Sequence, residues 1–235
     1  MAEAKKTYRH ELKYLVSAAQ IPLLKNRIIN LMQCDPHTTS QGEYNIRSVY
    51  FDDYSNRCFY ENENGTDPRE KYRIRIYNHS SEKITLECKR KEKGKTHKTS
   101  CPLTLDQAKQ LLNGCPLTPT EADSPLLKKF IIEIKTRGMK PVVIVEYDRI
   151  PYIYKNGNVR VTFDINISAS SNIDDFFMDN IPKRPIMPVG QHLMEVKFDE
   201  FLPDFIHHNL NLNHLRQTNF SKYYLCRKFN LLIGR

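Results

Sequence analysis

Lys71, Arg73 and Arg75 stand at alternate positions of the segment Glu70-Lys71-Tyr72-Arg73-Ile74-Arg75-Ile76-Tyr77. In an extended chain successive side chains point to opposite faces. The three cations therefore share one face, and Tyr72, Ile74 and Ile76 share the other. The same alternation recurs in Arg9/Glu11/Lys13, in Thr85/Glu87/Lys89, around Lys98, in Tyr147/Arg149, in Arg160/Thr162/Asp164 and in Glu195/Lys197. One such strand alone reads as an ordinary half-solvated strand. Their repetition predicts a sheet whose charged faces converge, and converging cations need an anionic ligand. Arginine forks grip phosphate oxygens in pairs, and lysine supplies a compact point charge. Glutamates fit among them if a divalent cation bridges carboxylate and phosphate oxygens. The chemistry these residues point to is a metal–polyphosphate site.

The elements that position these residues follow from patterning. A strand is predicted over residues 7–16, and Ser17 is placed to cap a helix running to about Met32, with Ile21, Leu24, Ile28 and Leu31 at helical spacing. Strands are predicted over 44–52, 71–77, 84–91 and 95–101, and helices over 104–113 and 125–135. An extended stretch over 141–154 joins one over 159–167 through Lys155-Asn156-Gly157-Asn158, a hairpin signal. A short strand over 194–198 and helices over 203–212 and 220–232 complete the chain. Antiparallel strands with helices inserted at the start, middle and end predict one α+β domain over residues 1–235, built on an antiparallel β-barrel with a charged lumen and peripheral helices. The helices need the strands' apolar faces to pack on, which leaves the charged faces to line the lumen. A dry, empty lumen of this kind is unfavourable, so it is expected to be wet and occupied.

The chain has 235 residues and a formal net charge of +9, which implies a polyanionic partner. No apolar run follows the first residues, so no signal peptide is expected. The longest apolar stretches, such as 142–145, are too short to span a bilayer. The six cysteines show no paired spacing, which predicts reduced thiols in a cytoplasmic protein and no structural zinc.

The motifs His10-Glu11-Leu12-Lys13-Tyr14, Ser48-Val49-Tyr50-Phe51-Asp52, Arg73-Ile74-Arg75, Glu87-Cys88-Lys89, Glu146-Tyr147-Asp148-Arg149, Val159-Arg160-Val161-Thr162-Phe163-Asp164, Met194-Glu195-Val196-Lys197 and Phe220-Ser221-Lys222-Tyr223 occur in this order. Together they resemble the triphosphate tunnel metalloenzymes (the CYTH-like superfamily) and, within them, the VTC (vacuolar transporter chaperone) polyphosphate polymerase domain. The resemblance implies a tunnel that binds ATP and Mn2+ or Mg2+. It implies a phosphate-gripping and catalytic set of Lys13, Arg73, Arg75, Lys89, Lys98, Arg149, Arg160, Ser221 and Lys222. Tyr147 would pack near the nucleotide, together with Arg73, Arg75 and Lys222. Glu195 would be the metal ligand, helped by Glu11 and Glu87. Hydrolytic relatives begin with a Glu-x-Glu-x-Lys strand, whereas Arg9 stands at the first position here. Asn219 stands where the VTC pattern has a basic residue.

The function this implies is transfer of the γ-phosphoryl group of ATP to a growing inorganic polyphosphate, releasing ADP. Within the same fold the competing reading is a metal-dependent tripolyphosphatase or nucleoside triphosphatase. A non-catalytic module binding polyphosphate or inositol-phosphate anions is a third. A nucleic-acid role is disfavoured, because the cations alternate with glutamates and no RRM, KH or zinc-finger signature occurs. VTC-like domains are associated with membrane proteins, which implies a separate membrane partner. His207, His208 and His214 read as surface residues, residues after Lys89 in Lys89-Arg90-Lys91-Glu92-Lys93 as a solvated turn, and Cys88 as core.

Overall fold

The computed structural model describes residues 8–115 and 117–233. Residues 1–7, including the predicted start of the first strand, lie outside them. The strands are β1 (His10–Ser17), β2 (Gln33–Cys34), β3 (Tyr44–Asp52), β4 (Arg69–Tyr77), β5 (Ser80–Glu92), β6 (Lys95–Leu103), β7 (Lys140–Tyr154), β8 (Val159–Ser170), β9 (Arg184–Pro185) and β10 (Gln191–Phe198). The helices are α1 (Gln20–Ile28), α2 (Arg57–Glu63), α3 (Leu105–Leu112), α4 (Pro125–Arg137), α5 (Asp204–Asn209) and α6 (Lys222–Ile233).

Eight strands form one antiparallel sheet in the order β1-β10-β8-β7-β3-β4-β5-β6, with β2 on β7 and β9 on β8. The sheet curls until its edges meet. Arg9 and Thr96 exchange both backbone hydrogen bonds, at 2.9 and 3.0 Å. Both residues stand at the starts of their antiparallel segments, so β1 and β6 run apart from this one corner. The rest of the β1 edge is covered by residues 216–218: Leu15 N donates to Arg216 O and Thr218 N donates to Lys13 O. That segment leads straight into α6. The seam of the barrel is thus also the element that aims the N-terminus of α6 at the lumen.

The outer, apolar faces are packed by helices. Under α1 and α5, Ile21, Leu24, Ile28 and Ile206 cover Tyr14, Val161, Phe163, Met194 and Val196. Under α3 and α4, Ala108, Leu111, Leu127, Phe130 and Ile131 cover Val49, Phe51, Ile74, Leu86 and Cys88. Each large side chain buried this way contributes roughly 1.5–3 kcal/mol. Thr104 and Gln107 form a reciprocal capping box at α3, and Ser124 caps α4, which Gly138 ends at φ +63°. Ser17 and Gln20 make the same reciprocal exchange before α1, which ends four residues earlier than its apolar spacing predicts.

α2 has no counterpart in the sequence reading. Its first amides are capped from upstream: Asp53 Oδ1 accepts from Arg57 N, and the two Asp52 oxygens accept from Cys58 N and Phe59 N. The hairpin at Asn156-Gly157 forms as expected, with Gly157 at φ +73°. A Cβ there would lie 2.9 Å from Phe201 O. Gly157→Ala is therefore expected to cost roughly 1–3 kcal/mol of stability, read from the midpoint of denaturant unfolding. An unchanged midpoint would contradict this reading of the turn.

All six cysteines are free. Among the described residues no helix is long and apolar enough to cross a membrane.

Candidate active site

Register decides which charged side chains meet. On one wall Lys71 stands opposite Lys89, and Lys89 opposite Lys98. Arg73 lies between Tyr50 and Glu87, and Arg75 between Ser48 and Thr85. On the other wall Lys13 faces Glu195, and Glu195 faces Thr162; Glu11 faces Lys197, and Lys197 faces Arg160. Arg149 stands opposite Asp164 on one side and Tyr44 on the other. The charged faces do converge, and side chains from non-adjacent strands join across the lumen.

The first cluster centres on Glu87, only 2% exposed. Arg73 reaches it at 2.5 Å, Lys98 at 2.9 Å and Arg75 at 3.6 Å. Burial alone would raise the Glu87 pKa, but these three cations hold it far below the usual carboxylate range. Arg73 also donates to Tyr50 Oη at 2.7 Å, and Arg75 to Ser48 Oγ at 3.1 Å and Tyr147 Oη at 3.3 Å. Lys98 is half exposed, at the edge of this cluster.

The second cluster gathers Arg149, Asp164, Glu195 and Lys222. Arg149 holds Asp164 with two nitrogens, at 2.6 and 2.7 Å. Lys222, at the start of α6, reaches Asp164 at 2.6 Å and Glu195 at 2.9 Å. Glu195 is shared further by Lys197 at 2.9 Å, Arg149 at 3.5 Å and Lys13 at 3.8 Å. Burial works against the charge on Glu195, but Lys197, Lys222, Lys13 and Arg149 outweigh it and keep its pKa well below normal. Burial also disfavours the Lys222 ammonium, and Asp164 and Glu195 more than compensate, so its pKa is raised. The buried Tyr147 ring lies 4.8 Å from Lys222 Nζ and 5.3 Å from the Arg149 guanidinium.

The third cluster is Glu11 with Lys89 at 2.6 Å and Lys13 at 3.6 Å. Beside it, Lys13 Nζ donates to Phe220 O at 2.7 Å, and Ser221 Oγ accepts from Lys71 Nζ at 3.2 Å and Tyr224 N at 3.3 Å. Ser221 thus caps α6, and the dipole of that helix favours an anion near its start. Arg160 sits apart, at the opposite mouth, where Asp35 at 2.5 Å and Tyr44 Oη at 2.8 Å hold it. Arg9 adds no free cation to the lumen: it pairs with Asp199 at 2.9 Å. Asn219 is exposed.

Lys71, Lys197 and Asp164 belong to the site but were absent from the set the resemblance implied. The alternation that exposed Arg73, Glu195 and Arg160 already included all three. Lys71 differs from the other cations inside the lumen in having no carboxylate within ion-pair distance among the described residues; it donates to Asn62 Oδ1 at 2.5 Å and to Ser221. Burial, then Arg69, Lys89 and Lys13, push its pKa well below that of a free lysine. Burial with Lys13 and Lys197 likewise lowers Lys89, to about 8, against the pull of Glu11.

The depressed Lys71 value has two consequences of opposite sign. Below its folded pKa, Lys71 carries a charge the fold disfavours. That penalty is relieved as pH rises from the folded value toward the unfolded value of about 10.4, so this group's contribution to stability rises with pH. A bound phosphate needs the ammonium, so anion affinity falls over the same rise. At a pH above the folded value, tripolyphosphate binding is expected to take up protons, and Lys71→Gln to reduce that uptake. Calorimetry in buffers of different ionisation heat reads it, and unchanged uptake would remove Lys71 from the site.

Among the described residues no three His, Cys, Asp or Glu side chains converge into a ready-made cation cage. Glu195 and Glu11, however, both reach Lys13 and Lys197, at 3.8 and 2.9 Å and at 3.6 and 3.9 Å, and both are kept ionised. Two ionised carboxylates fit a hard divalent cation whose remaining ligands are phosphate oxygens and water. Glu87 is engaged by its own separate cations.

A curled antiparallel sheet around a lumen of this charge defines the triphosphate-tunnel class. Solved structures of similar fold include a "putative adenylate cyclase" from Bacillus halodurans, at TM-score 0.53 and 15% identity over 93% of this chain and 96% of that one. Another is the adenylyl cyclase-like HpAC1 from Hippeastrum, described as having a dominant triphosphatase activity, at TM-score 0.52 and 12% identity over 95% and 96% of the two chains. At such identities the likeness is one of fold. The VTC domain family model matches residues 8–230, and the chain belongs to that family. No curated protein matches it significantly.

Proposed function

We propose that the protein is a polyphosphate polymerase that moves the γ-phosphoryl group of ATP onto the end of an inorganic polyphosphate chain and releases ADP. The observation that carries this reading is the pairing of the lumen carboxylates. Among the described residues Glu11, Glu87, Asp164 and Glu195 are each engaged by two or more cations, which also hold their pKa values below the ordinary carboxylate range. None of these four is left unpaired to take a proton from water. Hydrolysis must activate a water molecule, whereas a phosphate acceptor is already an oxyanion. Phosphoryl transfer then depends on positioning and on neutralising the charge of the transferred group.

The residues divide that work. Arg73 and Arg75, fixed by Glu87, Tyr50 and Ser48, present guanidinium forks to the triphosphate. Arg149 with its fork and Lys222 with its ammonium, both fixed by Asp164, face it from the other wall. Lys13, Lys89 and Ser221 hold phosphate oxygens near the α6 N-terminus, and Tyr147 packs beside the nucleotide. Lys98 and Arg160 serve the margins. Glu195 and Glu11 hold the divalent cation, Mn2+ or Mg2+, with Glu87 further off. A cation held by Glu195 and Glu11 would supply positive charge to offset that of the transferred group. A single body over the whole chain, acting beside a separate membrane partner, is part of the same proposal.

Purified protein incubated with ATP and Mn2+, with products separated by size, tests it. Long polyphosphate with matching ADP supports the polymerase. Orthophosphate as the sole phosphate product makes it a triphosphatase, the reading closer to what is described for HpAC1. Tight triphosphate binding without turnover makes it a binding module.

A further inference from the structure

The row of unmatched cations continues past the lumen. One step beyond the Lys71–Lys89 pair, Arg69 on β4 stands opposite Lys91 on β5, and Thr96 of β6 is next in the row. The period of two puts Arg69 and Lys91 on the same face as Lys71 and Lys89. Like charges directly opposite one another on neighbouring strands destabilise a sheet. Here two such pairs follow in succession, on the half-buried surface that runs to the turn at Lys93 and Gly94.

Among the described residues neither Arg69 nor Lys91 has a carboxylate within 4 Å. Arg69 spends one nitrogen on Thr66 O, at 2.7 Å. Arg90, on the other face of the same strand, is matched by Glu70 at 3.1 Å and Glu92 at 3.0 Å. At the opposite mouth Arg160 is matched by Asp35. The acidic groups facing the pair are Asp67, Glu61 and Glu11, and they act only at a distance, while Lys13 and the pair itself add repulsion. Among the described residues the cations Lys71, Arg69 and Lys91 therefore run without a carboxylate partner from the lumen to this mouth, while at the other end of β5 the exposed Lys83 lies over the Tyr77 ring.

We propose that Arg69 and Lys91 form an outer subsite that holds inorganic polyphosphate as it passes out of the tunnel, so that the chain leaves beside the β4–β5 strands and not by the Arg160 mouth. The phosphate spacing of a linear polyanion lets successive units meet Lys71 and then the Arg69–Lys91 pair. A triphosphate held at Arg73, Arg75 and Lys222 is too short to need them. The subsite rests on the polyphosphate reading above, but its test does not require turnover.

The double variant Arg69→Gln/Lys91→Gln is compared with the unaltered protein for binding of long-chain polyphosphate and of tripolyphosphate across a salt series. Affinity for the long chain is expected to fall about tenfold or more. The slope of log affinity against log salt should flatten by roughly 0.7–0.9 per cation removed, the value known for nucleic-acid polyanions. Tripolyphosphate affinity should stay within about twofold, which also reports an intact fold. Equal losses for both ligands, or no loss for either, would overturn the subsite. If turnover of ATP yields no polymer but the length-selective loss persists, the polymerase reading fails and the polyphosphate subsite stands. A comparable loss for single-stranded DNA, with none for polyphosphate, would reassign the surface to nucleic acid and also overturn it.

Discussion

Arg73→Ala is expected to lower the rate of phosphoryl transfer by about 10²–10³, the loss typical when one preorganised charge-stabilising donor is removed. Arg73 is tightly held in the lumen. Its guanidinium is bound to Glu87 at 2.5 and 2.7 Å and to Tyr50 at 2.7 Å, so it meets the substrate already oriented. The single variant leaves Glu87 paired with Arg75 and Lys98 and should fold. Removing Arg75 as well is a different experiment. In the double variant Glu87, 2% exposed, would keep only the half-exposed Lys98. Breaking a buried pair costs about 3–5 kcal/mol, so the double variant should be unstable as well as inactive. Thermal melting alongside kcat separates the two effects. A well-folded Arg73→Ala protein with near-normal kcat would remove Arg73 from the site.

Glu195→Gln is expected to raise the metal concentration needed for half-maximal activity by at least about tenfold, since even residues that only support a metal ligand commonly cost 10–100-fold. Glu195 is shared by Lys197, Lys222, Arg149 and Lys13, and replacing it removes one carboxylate partner from each of them. The lumen gains net positive charge. Triphosphate affinity without metal should therefore hold or rise while metal activation falls. A general packing defect would lower both. Metal titrations of activity, beside metal-free binding of tripolyphosphate, distinguish them. An unchanged metal titration would contradict the assignment of Glu195.

Much of this architecture is legible in the sequence, because one physical signal serves fold and site together. Alternation assigns Ile74, Ile76 and Cys88 to the outer core and Arg73, Arg75 and Lys89 to the lumen, and the structure places each accordingly. The hairpin at Asn156-Gly157 is legible for a similar reason: the turn needs a positive φ. What alternation cannot reveal is who pairs with whom. That Glu11 meets Lys89 across the seam, or Lys222 meets Asp164, depends on the stagger of the curled sheet.

Other features follow no local rule. α2 is invisible because its caps, Asp52 and Asp53, lie outside the usual position just before the helix. Arg47 and Glu146 break the apolar outer face: Arg47 is fully buried, pairs with Glu146 at 2.5 Å and donates to Phe176 O and Asp179 O at 3.0 Å. A charged pair beneath a loop is stable only because distant carbonyls complete its hydrogen bonds, and sequence spacing does not encode such a match. Asp35 at Arg160 is hidden in the same way. Lys71 is the instructive case: its alternation marks it for the lumen, but its lack of a carboxylate partner is visible only in three dimensions.

The most direct test of the central claim is the ratio of ADP formed to orthophosphate released, followed by phosphorus NMR while the protein turns over ATP with Mn2+. A polymerase gives ADP with little orthophosphate and a growing signal from internal phosphates of a chain. ADP and orthophosphate rising together, with no internal-phosphate signal, would contradict the transfer reading and leave a tunnel that hydrolyses its substrate.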